Sequence, residues 1–130
     1  MQNKNIVINE KGPKAIGPYS VGVQAGIFFF TAGQLGLDPA TGLIVEGGVA
    51  AETRQALLNL KNILEAGNSS LENVVKTTVF LRDMADFAKM NAIYAEFFIV
   101  DFPARSAVQV AALPKNAAVE IEAVALINRE

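Results

Sequence analysis

The sequence predicts an α+β domain in which one β-sheet carries two helices on a single face. Two runs repeat their apolar residues at helical spacing, and short β-branched or aromatic runs lie before, between and after them. Each helical run has one apolar stripe, so each covers a sheet from one side and leaves its other side in water. No repeat, linker or low-complexity tract divides the 130 residues, which suit a single domain, 1–130.

Taken in order, residues 5–9 read as a first strand. Gly12-Pro13 and Gly17-Pro18 are turn signals, and Tyr19 to Gln24 and Ile27 to Ala32 read as two strands joined near Ala25-Gly26. Asp38-Pro39-Ala40-Thr41-Gly42 is a turn in which Pro39 presets φ and Gly42 tolerates a positive one. From Val49 to Ala66 the period becomes helical: Val49, Thr53, Ala56, Leu57, Leu60, Ile63 and Leu64 form one stripe, and Gly67 supplies the stop. Val74 to Leu81 is a β-branched strand. Asp83 caps a second helix whose stripe is Phe87, Met90, Tyr94, Phe97 and Phe98. Two strands close the chain, Arg105 to Ala111 and Ala118 to Ile127, around a turn at Leu113-Pro114-Lys115-Asn116. With both helices on one side, the second sheet face must meet another surface. If that surface is a copy of itself, the domain is a subunit of a ring or barrel-like oligomer.

Composition removes several classes of function. Hydrophobic residues make up 52% of the chain and charged residues 18%, enough to bury a core and to leave apolar surface for self-association. The formal net charge of −2, with eleven scattered basic residues, argues against nucleic acid as the main partner. Without cysteine there is no disulfide frame, thiolate nucleophile or zinc ribbon. Without histidine there is no Ser-His-Asp triad and no imidazole base. Chemistry is left to carboxylates, Arg, Lys, Tyr, backbone groups and water. The N-terminus leads into no long apolar stretch, so no signal peptide is expected. Ile27-Phe28-Phe29-Phe30 is far short of the roughly 20 residues a membrane span needs. The expected compartment is the cytosol, with no membrane partner.

The last two strands hold the best constellation. If they form an antiparallel hairpin pairing Val108 with Ile121 and Val110 with Val119, the opposite face collects Arg105, Ala107, Gln109, Glu120 and Glu122. Arg105 follows the stiff Phe102-Pro103-Ala104 run, and its planar fork suits a carboxylate through two parallel hydrogen bonds. The alternative is that Arg105 simply pairs with Glu120 or Glu122 in an interface. Either glutamate beside apolar Ala118 and Val124 would have its pKa raised by desolvation and could act as general acid or base; the alternative is plain solvated strand alternation. Gly33, in Thr31-Ala32-Gly33-Gln34, could bring a backbone N–H to an anion or be only a strand end. Asn91, beside Phe87 and Tyr94, needs a polar partner, either a ligand or the backbone. Tyr19 could wall a pocket or belong to the core.

These residues sit in stretches that resemble the reactive-intermediate deaminase family, RidA/YjgF: Ala15-Ile16-Gly17-Pro18-Tyr19-Ser20, Thr31-Ala32-Gly33-Gln34, Asn73-Val74-Val75-Lys76-Thr77-Thr78-Val79-Phe80, Phe102-Pro103-Ala104-Arg105-Ser106 and Val119-Glu120-Ile121-Glu122-Ala123. Each motif alone is modest; all five in order are highly specific. The resemblance implies a chorismate-mutase-like single mixed sheet, a homotrimer with sites between subunits, and cofactor-free, metal-free hydrolysis of 2-enamine and 2-imine acids such as 2-aminoacrylate and 2-aminocrotonate. The products would be 2-oxo acids and ammonia, a form of metabolite damage control. It further implies that Arg105 binds the substrate carboxylate and Glu120 handles the attacking water. Tyr19 and Asn91 would line the cleft, completed by backbone near Gly33 and Ala107. Many bacterial relatives carry cysteine at the position of Ala107 and often serine at that of Ala32, so any role of those side chains is missing here. The competing functions are a non-catalytic trimeric sensor of small carboxylates, gripping them through the same Arg105, and an RNA-directed activity, which the acidic balance disfavours.

Overall fold

The computed structural model describes residues 3–128. The chain runs β1 (Lys4–Val7), β2 (Gly22–Ala25), β3 (Phe28–Thr31), β4 (Gln34–Leu35), α1 (Gly48–Ala66), β5 (Val74–Leu81), α2 (Phe87–Phe97), β6 (Ala104–Gln109) and β7 (Val119–Leu126). The strands form one mixed sheet in the order β1-β2-β3-β7-β5-β6, with β4 continuing the β3 side of β7. The predicted α+β class with both helices on one face holds.

Both helices form where the apolar period requires them. In α1 the buried side chains include Val49, Thr53, Ala56, Leu57, Leu60, Ile63 and Leu64, the predicted stripe. Gly47 and Gly48, at φ 118° and 76°, turn the chain into α1 through backbone that other residues resist. Asp83 does cap, but it caps a 3-10 turn over Met84–Asp86 that leads into α2: its Oδ1 accepts the Ala85 N–H at 2.9 Å. Leu57, Leu60, Ile63, Leu64 and Met90 meet Phe29, Val79, Leu81, Val119 and Ile121 of the sheet, all fully buried. Each such side chain contributes roughly 1.5–3 kcal/mol by leaving water. Among the described residues no helix is long and apolar enough to cross a membrane.

The hairpin expected of the last two strands does not form. β6 pairs with β5 in parallel, Arg105 opposite Thr77 and Ala107 opposite Val79. β7 pairs antiparallel with the other edge of β5, Ile121 opposite Val79 and Glu120 opposite Phe80. The reason lies in α2: a helix between two strands makes a crossover, and its strands become parallel neighbours. β7 then enters between β3 and β5. Pleat alternation therefore puts Arg105, Ala107 and Gln109 on the helix-bearing face with Val79 and Ile121, while Glu120 and Glu122 lie on the opposite face with Thr78, Phe80, Ser106 and Val108. The polar floor predicted from one strand register is divided between two faces.

Two smaller differences shape the loops. Tyr19 and Ser20 precede β2 rather than belong to it, because Gly17 at φ 119° starts a tight turn closed by Tyr19 N–H to the Gly17 carbonyl at 3.0 Å. The strand read to Ala32 ends at Thr31, and the chain bulges through Ala32-Gly33 before pairing again as β4. The helix-free face carries exposed Phe28, Phe30, Val108 and Leu126.

Candidate active site

Arg105 leaves the edge strand β6 and lies across α2. Its Nη1 donates to Asn91 Oδ1 at 2.6 Å. Its guanidinium carbon sits 4.7 Å from the centre of the Tyr94 ring and 5.4 Å from that of Phe87. Phe87, Asn91 and Tyr94 are spaced i, i+4, i+7, so one face of α2 supplies all three contacts. Beneath them, the Tyr94 hydroxyl is 2.8 Å from Thr77 Oγ1, and burial raises the Tyr94 pKa, keeping it a neutral phenol. No described carboxylate pairs with Arg105; the ion pair among the described residues joins Arg54 and Glu96 on the surface. The simple pairing of Arg105 with Glu120 or Glu122 is excluded within the chain by their opposite faces.

A cleft of about 540 Å³ opens over this guanidinium, walled by Asn91, Tyr94, Phe98, Phe102 and Pro103. Val110 donates its N–H to the Leu81 carbonyl at 3.0 Å, so even-numbered residues of β6 aim their backbone at β5. The N–H groups of Arg105 and Ala107 therefore point to the free edge of the sheet. A cation held by a neutral oxygen and two rings, beside edge N–H groups, is suited to a small anion. Gln109, which the predicted register placed in the same polar set, is tied elsewhere: its Oε1 accepts the Met84 N–H at 2.8 Å.

Glu120 occupies a separate cleft of about 570 Å³ with Tyr19, Gly33, Gln34 and Lys115. The bulge after β3 brings Gly33 so close that a Cβ there would lie 2.7 Å from Glu120 Oε2. Thr31 Oγ1 accepts the Ala123 N–H at 3.0 Å and fixes one end of that bulge. At its other end, buried Asn59 of α1 donates to the carbonyls of Leu35 and Leu37 at 3.1 and 2.9 Å, tying β4 to α1. Burial raises the Glu120 pKa, and the Glu122 carboxylate on the same face adds to the shift. The Tyr19 ring is half exposed, and its hydroxyl accepts the Ile16 N–H at 3.3 Å.

The predicted site residues thus form two groups, Arg105, Asn91 and Ala107 on one side of the sheet, Glu120, Gly33 and Tyr19 on the other. Sequence reasoning misses Phe87, Tyr94 and Thr77 as the seat of Arg105. Their helical spacing with Asn91 is visible in the chain, but the β6–β5 pairing that brings Arg105 over them is not. It also misses Asn59, an amide inside an apolar stripe.

Sheet, helices and the two clefts define a single-sheet α+β domain with Arg105, seated on Asn91, on one face and a half-buried glutamate on the other. The Endoribonuclease L-PSP family matches residues 9–127, and the chain belongs to it, the RidA/YjgF family that the five motifs resemble. A RutC family protein of Pyrococcus horikoshii is 54% identical over 122 residues, covering 94% of this chain and 97% of the relative. The human 2-iminobutanoate/2-iminopropanoate deaminase is 50% identical over 123 residues, covering 95% of this chain and 90% of its own. The crystal structure of Escherichia coli TdcF with bound serine superposes with a TM-score of 0.90 at 42% identity, covering 95% of this chain and 99% of that one.

Proposed function

We propose that the protein is a cofactor-free deaminase that hydrolyses 2-imine and 2-enamine acids to 2-oxo acids and ammonia. The observation that carries this reading is Arg105: a guanidinium seated on Asn91 and two rings, with no carboxylate partner among the described residues. Such a group favours a ligand that brings its own carboxylate. The name of the human relative, an imine deaminase at 50% identity, and the serine in the TdcF structure point to the same class of small amino-acid-like substrates.

In this reading Arg105 and the Ala107 N–H hold the substrate carboxylate, which sets the adjacent imine carbon at a fixed distance. The Glu120 carboxylate takes a proton from water as the water oxygen bonds to that carbon and passes it to the imine nitrogen as the C=N double bond becomes single, giving a 2-amino-2-hydroxy acid and the free carboxylate again. The same carboxyl then relays the hydroxyl proton to nitrogen while the C–N bond breaks. Ammonia and the 2-oxo acid leave. An enamine substrate first tautomerises, its terminal carbon gaining a proton and its nitrogen losing one to water, and enters as the imine. Tyr19, Asn91 and the Gly33 bulge shape the walls. Every step is positioning or proton transfer, within reach of a chain lacking His and Cys.

Arg105 and Glu120 face opposite ways in one chain, so both can touch one small substrate only if they come from different copies. We infer a homotrimer in which the Arg105 cleft of one subunit closes on the Glu120 cleft of the next. The exposed apolar side chains of the helix-free face support burial between copies. The test is release of 2-oxo acid from freshly generated 2-aminoacrylate. The purified protein should accelerate it over buffer, and Arg105→Ala should abolish the acceleration. No acceleration, or full activity in Arg105→Ala, defeats the proposal, and calorimetric binding of 2-oxobutyrate without turnover would mark a carboxylate sensor instead.

A further inference from the structure

We propose that Tyr94 is a positioning residue that, together with Thr77, fixes the angle and height of the Arg105 guanidinium; the inference rests on the assignment of Arg105 as the carboxylate grip. Three elements close a ring of contacts around this cation. Thr77 of β5 is the strand partner of Arg105. Its hydroxyl, fully buried, is 2.8 Å from the Tyr94 hydroxyl. The Tyr94 ring in turn lies 4.7 Å below the guanidinium carbon. The path from the Arg105 backbone to its own charged end therefore runs through Thr77 and Tyr94 and returns.

A tyrosine serving only as core would not need this pair. A hydroxyl-to-hydroxyl bond inside the apolar layer gives little stability beyond what phenylalanine and valine would supply there, since both groups must leave water to make it. What it adds is direction. The bond stops the ring from sliding along its own plane, and Phe98, whose ring centre is 4.6 Å away, stops it from tilting. The guanidinium then rests on a fixed platform while Asn91 holds one nitrogen from the side, and its remaining N–H groups are left for the ligand. Arginine carries many rotamers, so a grip ordered before binding spares the substrate the cost of ordering it.

The test separates this role from the grip itself. Tyr94→Leu removes the platform, Tyr94→Phe keeps the ring and removes the tether, and Thr77→Val removes the tether from the other end. Tyr94→Leu should raise KM for the imine about five- to thirtyfold with kcat within about twofold, the range expected when a partly desolvated cation–π interaction no longer supports substrate binding. Tyr94→Phe should restore most of the loss. An independent readout needs no turnover: the Arg105 Nε–Hε group in nitrogen-15 relaxation should be ordered in the unsubstituted protein, partly averaged in Tyr94→Phe and in Thr77→Val, and fully averaged in Tyr94→Leu. Unchanged Arg105 order in folded Tyr94→Leu, or an equal fall in kcat with unchanged KM, overturns the proposal. If Tyr94→Leu does not fold, loss of order in neither Tyr94→Phe nor the double variant Tyr94→Phe with Thr77→Val, alongside unchanged KM, does the same. Should the protein have no deaminase activity, the relaxation arm still decides whether Tyr94 orders Arg105.

Discussion

The Cα of Gly33 and the carboxylate of Glu120 are packed so closely that no side chain fits between them; a Cβ at position 33 would lie 2.7 Å from Oε2 and 2.8 Å from the carboxyl carbon. The glycine is needed for this approach and not for an unusual φ. Gly33→Ala should therefore displace the Glu120 side chain and cost about 1–3 kcal/mol, as overpacking does. Denaturant unfolding checks the stability, and kcat should fall in the same variant while binding of a 2-oxo acid at Arg105 stays near its original strength.

The raised pKa of Glu120 sets a pH dependence. If its carboxylate is the base, activity falls as pH drops through that raised value, because protonation removes the acceptor. Burial is the larger cause and the Glu122 charge the second, so Glu122→Gln should lower the Glu120 pKa and move the acid limb of the pH profile downward. The stability effect has the opposite sense to that of a salt-bridged acid. A carboxyl whose folded pKa is raised favours the fold below its unfolded value, near 4.3 for glutamate, and loses that contribution as pH rises through the folded value. Glu120→Gln should therefore be the more stable protein at neutral pH and gain little at pH 4, read from thermal unfolding at the two pH values.

The helix-free face offers a direct test of assembly. Phe30 and Val108 lie on that face and are exposed in the single chain. Buried between copies, a charge there would have no partner. Phe30→Glu and Val108→Asp should each convert a trimer to monomers in light scattering and abolish deamination while the circular dichroism of the subunit is kept. A trimer that survives both substitutions shows that this face is not the contact.

Much of this architecture can be read from the chain because local pattern decides it. The α1 stripe from Val49 to Leu64 and the β5 strand from Val74 to Leu81 follow from side-chain period alone. Arg105, Asn91, Glu120 and Gly33 stand out for their chemistry. Strand order is what the sequence does not disclose. The short connection from β6 to β7 looks like a hairpin, but the α2 crossover has already committed β6 to β5, and the register through β5 aligns Arg105 with Thr77 and Ala123, so it shares a face with Ile121 and not with Glu120 or Glu122. Thr77 and Tyr94 are hidden for the same reason: their relation to Arg105 exists only through that parallel pairing. The two-residue strand Gln34–Leu35 is too short to announce itself by alternation, and it depends on Asn59, far along the chain.

The proposed activity requires that Arg105 of one subunit and Glu120 of another make one site, and mixing two inactive variants tests this. Arg105→Ala and Glu120→Gln are each expected to assemble and to be inactive. Co-refolded in equal amounts, they form mixed trimers in which a site is intact whenever the Arg105 donor is the glutamine variant and the Glu120 donor is the alanine variant. With random assembly that is about one site in four, so roughly a quarter of the original 2-aminoacrylate deamination should return, as a heterologous ring interface requires. A mixture that assembles yet stays as inactive as its parents would contradict the shared site.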